Sequence, residues 1–337
     1  MSKNIILIFI SIFLIQCTKD ENPIFPNTND DFAIFLLQNS NLRINDILTQ
    51  ELTRQDSQEL ASIDIQSSPW LTDKDIQFYD FSSHILYLKE DRSLFFPDLE
   101  NDLFPKSWWD KPFIVVADGE KRYVGTFKGS LSSMDWPVPY ISDFYNSNYP
   151  EDIICISWVW FYSDLVDTRH DSLVKQALIE ANIYHAGINI EIDDILIKEN
   201  SDTSTIEYKF TITNNDKDNI YTIDPDKMDI DLFHYFHNGP VFMNLDDGNL
   251  YESKLKKVKI PEPHDYWDPN WFIKINSDDS IKRSVTLKGY PYFPEGSYYC
   301  EFSYMGPKKI QKNQRILSDG RYWIGSAKSN VVSVIIH

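Results

Sequence analysis

The chain lacks the common signatures of nucleotide and hydrolytic chemistry. Its 337 residues include only 11 glycines. No glycine-rich loop follows an apolar strand pattern, so no backbone cradle for a phosphate is expected. No HExxH zinc frame and no GxSxG nucleophile elbow occurs. There are three cysteines, Cys17, Cys155 and Cys300, with no CxxC pair, which removes a zinc-thiolate or dithiol redox site. Positive charge is also short. Thirty-two Lys and Arg face 51 Asp and Glu, for a formal net charge of -19 and a pI near 4.7. Such a chain repels a phosphate backbone, so nucleic acid is excluded as a partner. Finally, the N-terminal apolar run Ile5 to Ile15 falls short of the roughly 18 residues that span a bilayer.

What the chain has in quantity is aromatic residues. They make up 15%, with 21 Phe, 19 Tyr and 9 Trp, which excludes a largely disordered polymer. The N-terminus has the layout of an export signal: Lys3, an apolar core within the usual span of about 7–15 residues, then an immediate polar and acidic stretch. The sequence Leu14-Ile15-Gln16-Cys17 resembles a bacterial lipobox, in which the cysteine is acylated and becomes the first mature residue. The following Lys19-Asp20-Glu21 resembles the signal that sends lipoproteins of Bacteroidota-like bacteria to the cell surface. The resemblance implies a lipid anchor on Cys17, with the protein on the outer membrane at the cell surface. Simple secretion is the alternative. Acyl chains contribute about 0.8 kcal/mol per buried methylene, enough with two or more chains to hold a soluble domain on a membrane.

Beyond the signal (1–17), the polar, proline-bearing stretch 18–30 reads as a tether. The remaining length suits two domains. Residues 31–185 mix strand and helix patterns. Ile44 to Ala61 is mildly helical, Thr72 looks like an N-cap for a short helix, and Asp167 to Ala181 is the clearest helix. Phe113–Ala117, Asp118-Gly119 and Lys121–Phe127 read as a β-hairpin. An α+β domain is expected. From Gly187 the pattern turns to strands, beginning with the alternating INIEIDDILIKE. An all-β immunoglobulin-like sandwich is expected over 188–337. FTITNND, PEGSYYCEFSY and SNVVSVII give this part a layout similar to the BsuPI-type inhibitor fold, a resemblance that places no reactive loop. Cys155 and Cys300 read as buried free thiols.

Four sets of residues could carry a function. The loop EPHDYWDPNW offers Tyr266, Trp267 and Trp271 as a recognition platform for a glycan or a protein, or as a cover for the end of a sandwich. SWWDKPF (Trp108, Trp109) and MDWPVPY (Trp136, Tyr140) pose the same choice. Asp224, Asp226, Asp229 and Asp231 could bind calcium, although the spacing lacks the EF-hand glycine and terminal glutamate; a solvated acidic loop is the alternative. His234 and His237 would point to opposite faces of a strand. Asp80, Ser82, Ser83 and His84 are too close in sequence for a catalytic triad. No catalytic residue and no cofactor is assigned beyond the calcium alternative. The resulting expectation is a surface-anchored, non-catalytic binding or scaffolding module, with glycan binding and hydrolysis as the rivals.

Overall fold

The computed structural model describes residues 30–336, apart from 50–51, 53–56, 97–103, 131, 133–135, 147, 159–166, 201, 229–232, 234–236, 238 and 255–266, and from the side chains of 144 and 145. Cys17, Lys19, Asp20, Glu21, Asp229, Asp231, His234 and Tyr266 therefore lie outside the described residues.

The first half is built on one nine-stranded sheet with the order β2-β1-β5-β6-β7-β8-β4-β3-β9. Its strands are β1 (Phe32–Leu36), β2 (Leu71–Thr72), β3 (Ile76–Asp80), β4 (Ile85–Leu88), β5 (Pro112–Ala117), β6 (Glu120–Lys128), β7 (Tyr140–Ser142), β8 (Ile153–Ser157) and β9 (Tyr184–His185). Pairing is antiparallel except at β6–β7 and β3–β9. The sheet is covered on both faces, which is why β1 and β5 read as unbroken apolar runs. Phe32 and Ile34 join Phe113 and Val115 in a core that takes in Val174, Ala177 and Leu178 of the helix Ser172–Glu180. Ala33, Phe35, Ile114 and Val116 face a second core with Ile44, Leu52 and Leu60.

The second half packs four smaller sheets around one core. Its strands are β10 (Ile188–Glu199), β11 (Thr203–Asn214), β12 (Ile220–Ile223), β13 (Val241–Asn244), β14 (Leu250–Tyr251), β15 (Phe272–Ile275), β16 (Ser280–Pro291), β17 (Gly296–Glu301), β18 (Ser303–Met305), β19 (Ile316–Leu317), β20 (Gly320–Tyr322), β21 (Ser326–Lys328) and β22 (Val332–Ile336). The sheet orders are β10-β11-β16, β15-β12-β20-β19, β14-β13-β17-β22 and β18-β21. Ile188, Ile190 and Ile192 alternate inward along β10 until a register shift between Ile192 and Asp194.

This architecture corrects the expected fold class. Strands account for 45% and helices for 15%, so residues 31–185 do not form an α+β domain. Helical backbone starts at Ile44 but stops at Leu48, which is extended at ψ 111°; among the described residues of 44–61 it otherwise occurs at Leu52 and over Ser57–Ser62. Thr72 closes a capping box with Asp75, but on a single 3-10 turn, Asp73–Asp75, before β3 takes over. Nor is the second half an immunoglobulin-like sandwich, which needs two facing antiparallel sheets. Here the strands divide among four sheets, and β12 pairs with β20 in parallel. Among the described residues no helix is long and apolar enough to cross a membrane.

Candidate functional site

The two halves meet around the turn that follows β3. Asp80, at the strand end, is fully buried. Its Oδ1 accepts from Ser82 Oγ at 2.7 Å and from Ser82 N, Ser83 N and Ser83 Oγ at 3.1 Å. Its Oδ2 lies 2.6 Å from Arg321 Nη2, donated from β20. The same Nη2 reaches Asp216 Oδ2 at 2.5 Å, and His185 Nδ1 lies 3.0 Å from Asp216 Oδ1. Ser82 Oγ also accepts from Ile188 N at 3.1 Å and from Trp323 Nε1 at 3.0 Å. Burial alone would raise the Asp216 carboxyl. The hydrogen bond from His185 and the charge of Arg321 outweigh it and hold that carboxyl well below the usual range.

A second buried arginine, Arg315, pairs with Asp152 across the same junction. Phe78 and Tyr87 stack with centroids 3.9 Å apart, and the Arg321 and Arg315 guanidinium carbons lie 5.3 and 5.2 Å from the Phe78 and Tyr87 rings. Ile324 then inserts between Phe78, Ile85, Tyr87 and Ile153. The Asp80, Ser82 and Ser83 side chains are thus consumed in fastening the halves together. Ser82 is turned toward Asp80, while His84 bonds elsewhere, to Tyr79. They do not form a nucleophile and base.

The aromatic turn has a defined frame. Asp268 caps the 3-10 turn Pro269–Trp271 by accepting from Asn270 N at 2.9 Å, and Pro269 fixes the first position. Trp267 and Trp271 meet edge to face at 6.1 Å. Both are half-buried against the core of the second half, with Phe272 and Tyr322 behind them. The turn also meets the acidic segment that the sequence treats separately: Asp224 N donates to Trp271 O at 2.8 Å, and Lys227 Nζ to Phe272 O at 2.5 Å. Asp224 is buried, not solvated. Arg283 grips both of its oxygens, Nε on Oδ1 at 2.6 Å and Nη2 on Oδ2 at 2.8 Å, and also lies 3.1 Å from the exposed Asp226. Of the described members of the acidic set, Asp224 and Asp226 thus both face Arg283.

The remaining aromatic and histidine candidates divide. Trp108 and Tyr140 are buried, and Trp109 donates to Phe104 O at 3.0 Å. Trp136 Nε1 lies 3.5 Å from Asp110 Oδ1. Phe233 and His237 have helical backbone, where paired strands are expected from the sequence. His237 is a core residue, stacked on Phe233 and Tyr304 and accepting from Met305 N at 3.0 Å. Cys155 and Cys300 are free thiols, the first half-buried and the second buried. Arg321, Asp216, His185, Arg315 and Asp152 carry no motif. His185 and Arg321 stand as charged or titratable residues within short strands, while Asp216, Arg315 and Asp152 lie in or beside polar turns and give no signal at all.

No family model matches the chain, and no curated protein matches it. Among solved structures, Northeast Structural Genomics Consortium target SoR45 aligns over 44% of this chain and 87% of its own, at 12% identity and a TM-score of 0.23. A beta-glucosidase from Kluyveromyces marxianus aligns over 44% of this chain and 14% of its own, at 11% identity and a TM-score of 0.17. Likenesses this slight carry no argument about fold or activity.

Proposed function

We propose that this chain is a lipid-anchored surface protein that acts as a non-catalytic binding or scaffolding module, with the Trp267–Trp271 turn as its recognition surface. The carrying observation is that both indoles are half-buried on a turn whose shape is fixed by the Asp268 cap, Pro269 and the Asp224–Trp271 main-chain bond. Rigid rings that are already partly seated bury further area on binding at low entropy cost. The exposed Asp226 and the half-buried Asp268 beside them favour a glycan, whose hydroxyls donate to carboxylates while the ring stacks on indole. A protein partner is the second reading. Delivery rests on Cys17 as the acylated residue, with Lys19, Asp20 and Glu21 directing the protein to the outer face of the outer membrane.

The test is the double variant Trp267→Ala/Trp271→Ala on glycan and surface-protein arrays. Binding is compared under conditions where circular dichroism shows both proteins folded. Loss of binding by at least tenfold, about 1.4 kcal/mol, is expected. Because the rings are only half-buried, urea melts should show less than the roughly 3–5 kcal/mol lost when a core tryptophan is truncated. Equal binding by both folded proteins overturns the reading.

A further inference from the structure

The turn after β3 has a second side. His84, its last residue, is buried to 1% exposure and adopts a left-handed backbone at φ 51°. A side chain held in that region is strained, and the surrounding contacts must hold it there. Its Nδ1 lies 3.1 Å from the Tyr79 hydroxyl, while its Nε2 is buried with no hydrogen-bond partner. An orphaned ring nitrogen in a dry site calls for a ligand.

Two further donors stand beside it. Asp167 caps the 3-10 turn Thr168–His170, and His170 ends that turn. One nitrogen from each histidine and one Asp167 oxygen lie within 4.8 Å of one another. His170 Nδ1 is already 3.5 Å from Asp167 Oδ2. In a tetrahedral site with bonds of about 2.1 Å, ligand atoms stand about 3.4 Å apart. The exposed His170 ring, perpendicular to His84 with centroids at 4.6 Å, is the part that closes the remaining gap.

The surroundings match what metal ligands require. Tyr79 holds His84 through Nδ1 and leaves Nε2 without a partner. Arg169 grips Asp167 edge-on, Nε at 2.9 Å from Oδ1 and Nη2 at 2.6 Å from Oδ2, and ties the turn to β8 by donating to Ile156 O at 2.7 Å. Such a grip leaves further carboxylate lone pairs available. The comparable trio His185, Asp216 and Asp218 differs. There His185 Nδ1 already bonds both oxygens of Asp216, at 3.0 and 3.1 Å, and Arg321 donates to one of them, so its histidine has a partner where His84 Nε2 has none.

We infer that His84, Asp167 and His170 form a binding site for a divalent transition-metal ion of the zinc class. Two imidazoles and one carboxylate suit zinc, cobalt or nickel over calcium, and three protein ligands leave one position open for water or a further ligand.

The test titrates the EDTA-treated full-length protein, in detergent, with Zn²⁺ by calorimetry, with Ca²⁺ as the control for general attraction to an acidic chain. One zinc per chain, a raised melting temperature and a visible d–d spectrum with Co²⁺ are expected. His170→Ala should weaken zinc binding by at least about tenfold and leave the metal-free urea midpoint unchanged, because this ring is exposed. His84→Gln should remove binding, and circular dichroism reports whether it folds. No heat with zinc up to millimolar concentration overturns the site, as does stoichiometric binding that His170→Ala does not weaken.

Discussion

Arg321 and Asp80, 241 residues apart in the chain, form a buried ion pair at 2.6 Å. The pair joins β20, in the sheet β15-β12-β20-β19 of the second half, to the end of β3 in the first. Because Asp216 shares the same guanidinium nitrogen, one arginine serves two buried carboxylates. Removing it strands both charges in a dry interior. Arg321→Met should therefore destabilise the protein by about 3–5 kcal/mol, measured by urea melting. Adding Asp80→Asn and Asp216→Asn to that variant should recover part of the loss, since the stranded charges are what destabilise it. A single substitution as mild as a surface change would show that the pair fastens nothing.

The same network makes the fold acid-sensitive. The Asp216 carboxyl is held well below its unfolded value of about 3.9. As pH falls, the unfolded chain takes up the proton first, so acid favours unfolding. The stabilisation is complete at neutral pH and is lost progressively below about pH 5. Asp167, held low by Arg169 against the opposing effect of burial, acts in the same direction. The melting temperature should drop steeply on acidification. Asp216→Asn should be less stable at neutral pH but should lose less between about pH 5 and pH 3. A wild-type melting temperature unchanged over that range would contradict the linkage.

Local features of the fold were legible in the sequence, and long-range ones were not. Asp118-Gly119 marks a hairpin turn, and both residues do take positive φ between β5 and β6. The alternation of Ile188, Ile190 and Ile192 marks β10. The helix expected over Asp167 to Ala181 begins at Ser172, because Asp171 caps it by accepting from Leu173 N and Val174 N. Val174, Ala177 and Leu178 face inward, while Leu173 is exposed. By contrast, periodicity records which face of a strand is wet, not which strand lies beside it. The parallel pairs β3–β9 and β12–β20 and the Arg321 network connect residues tens to hundreds of positions apart. In the sequence His84 stands beside Asp80 and Ser82, which suggest nothing of a site with Asp167 and His170. Its partners, Asp167 and His170, come from the far side of the sheet's connectivity.

The anchor proposal has a direct consequence. An apolar run as short as Ile5 to Ile15 cannot hold the protein by spanning the bilayer, which needs roughly 18 residues or more. On the proposed reading, acylation of Cys17 supplies the attachment. Expressed in a bacterium with the lipoprotein-processing enzymes, Cys17→Ala should abolish incorporation of labelled palmitate and release the protein from membranes. Replacing Lys19, Asp20 and Glu21 with alanine should keep the label but reduce cleavage by protease added to whole cells. Palmitate on the Cys17→Ala protein would refute the anchor, and unchanged shaving of the triple variant would refute the surface signal.

Gly187 and Gly119 separate the conformational role of glycine from its spatial one. Both have positive φ, 71° and 76°, a region that disfavours L side chains by about 1–2 kcal/mol. A methyl group on Gly119 meets nothing within 4 Å. One on Gly187 would stand 2.1 Å from Ser82 Oγ and 2.5 Å from Asp80 Oδ1. Those atoms have nowhere to go. Ser82 Oγ is held by Asp80, Ile188 N and Trp323 Nε1, and Asp80 by Arg321. Gly187 therefore lets the chain cross from the first half to the second against the buried network. Gly119→Ala should destabilise by about 1 kcal/mol, the backbone share alone. Gly187→Ala should exceed it by a further 2 kcal/mol or more, roughly the range for overpacking at a buried site. Urea melts of the two variants read the difference. Equal losses would mean that the junction around Asp80 yields to a methyl group and is not the tight fastening described above.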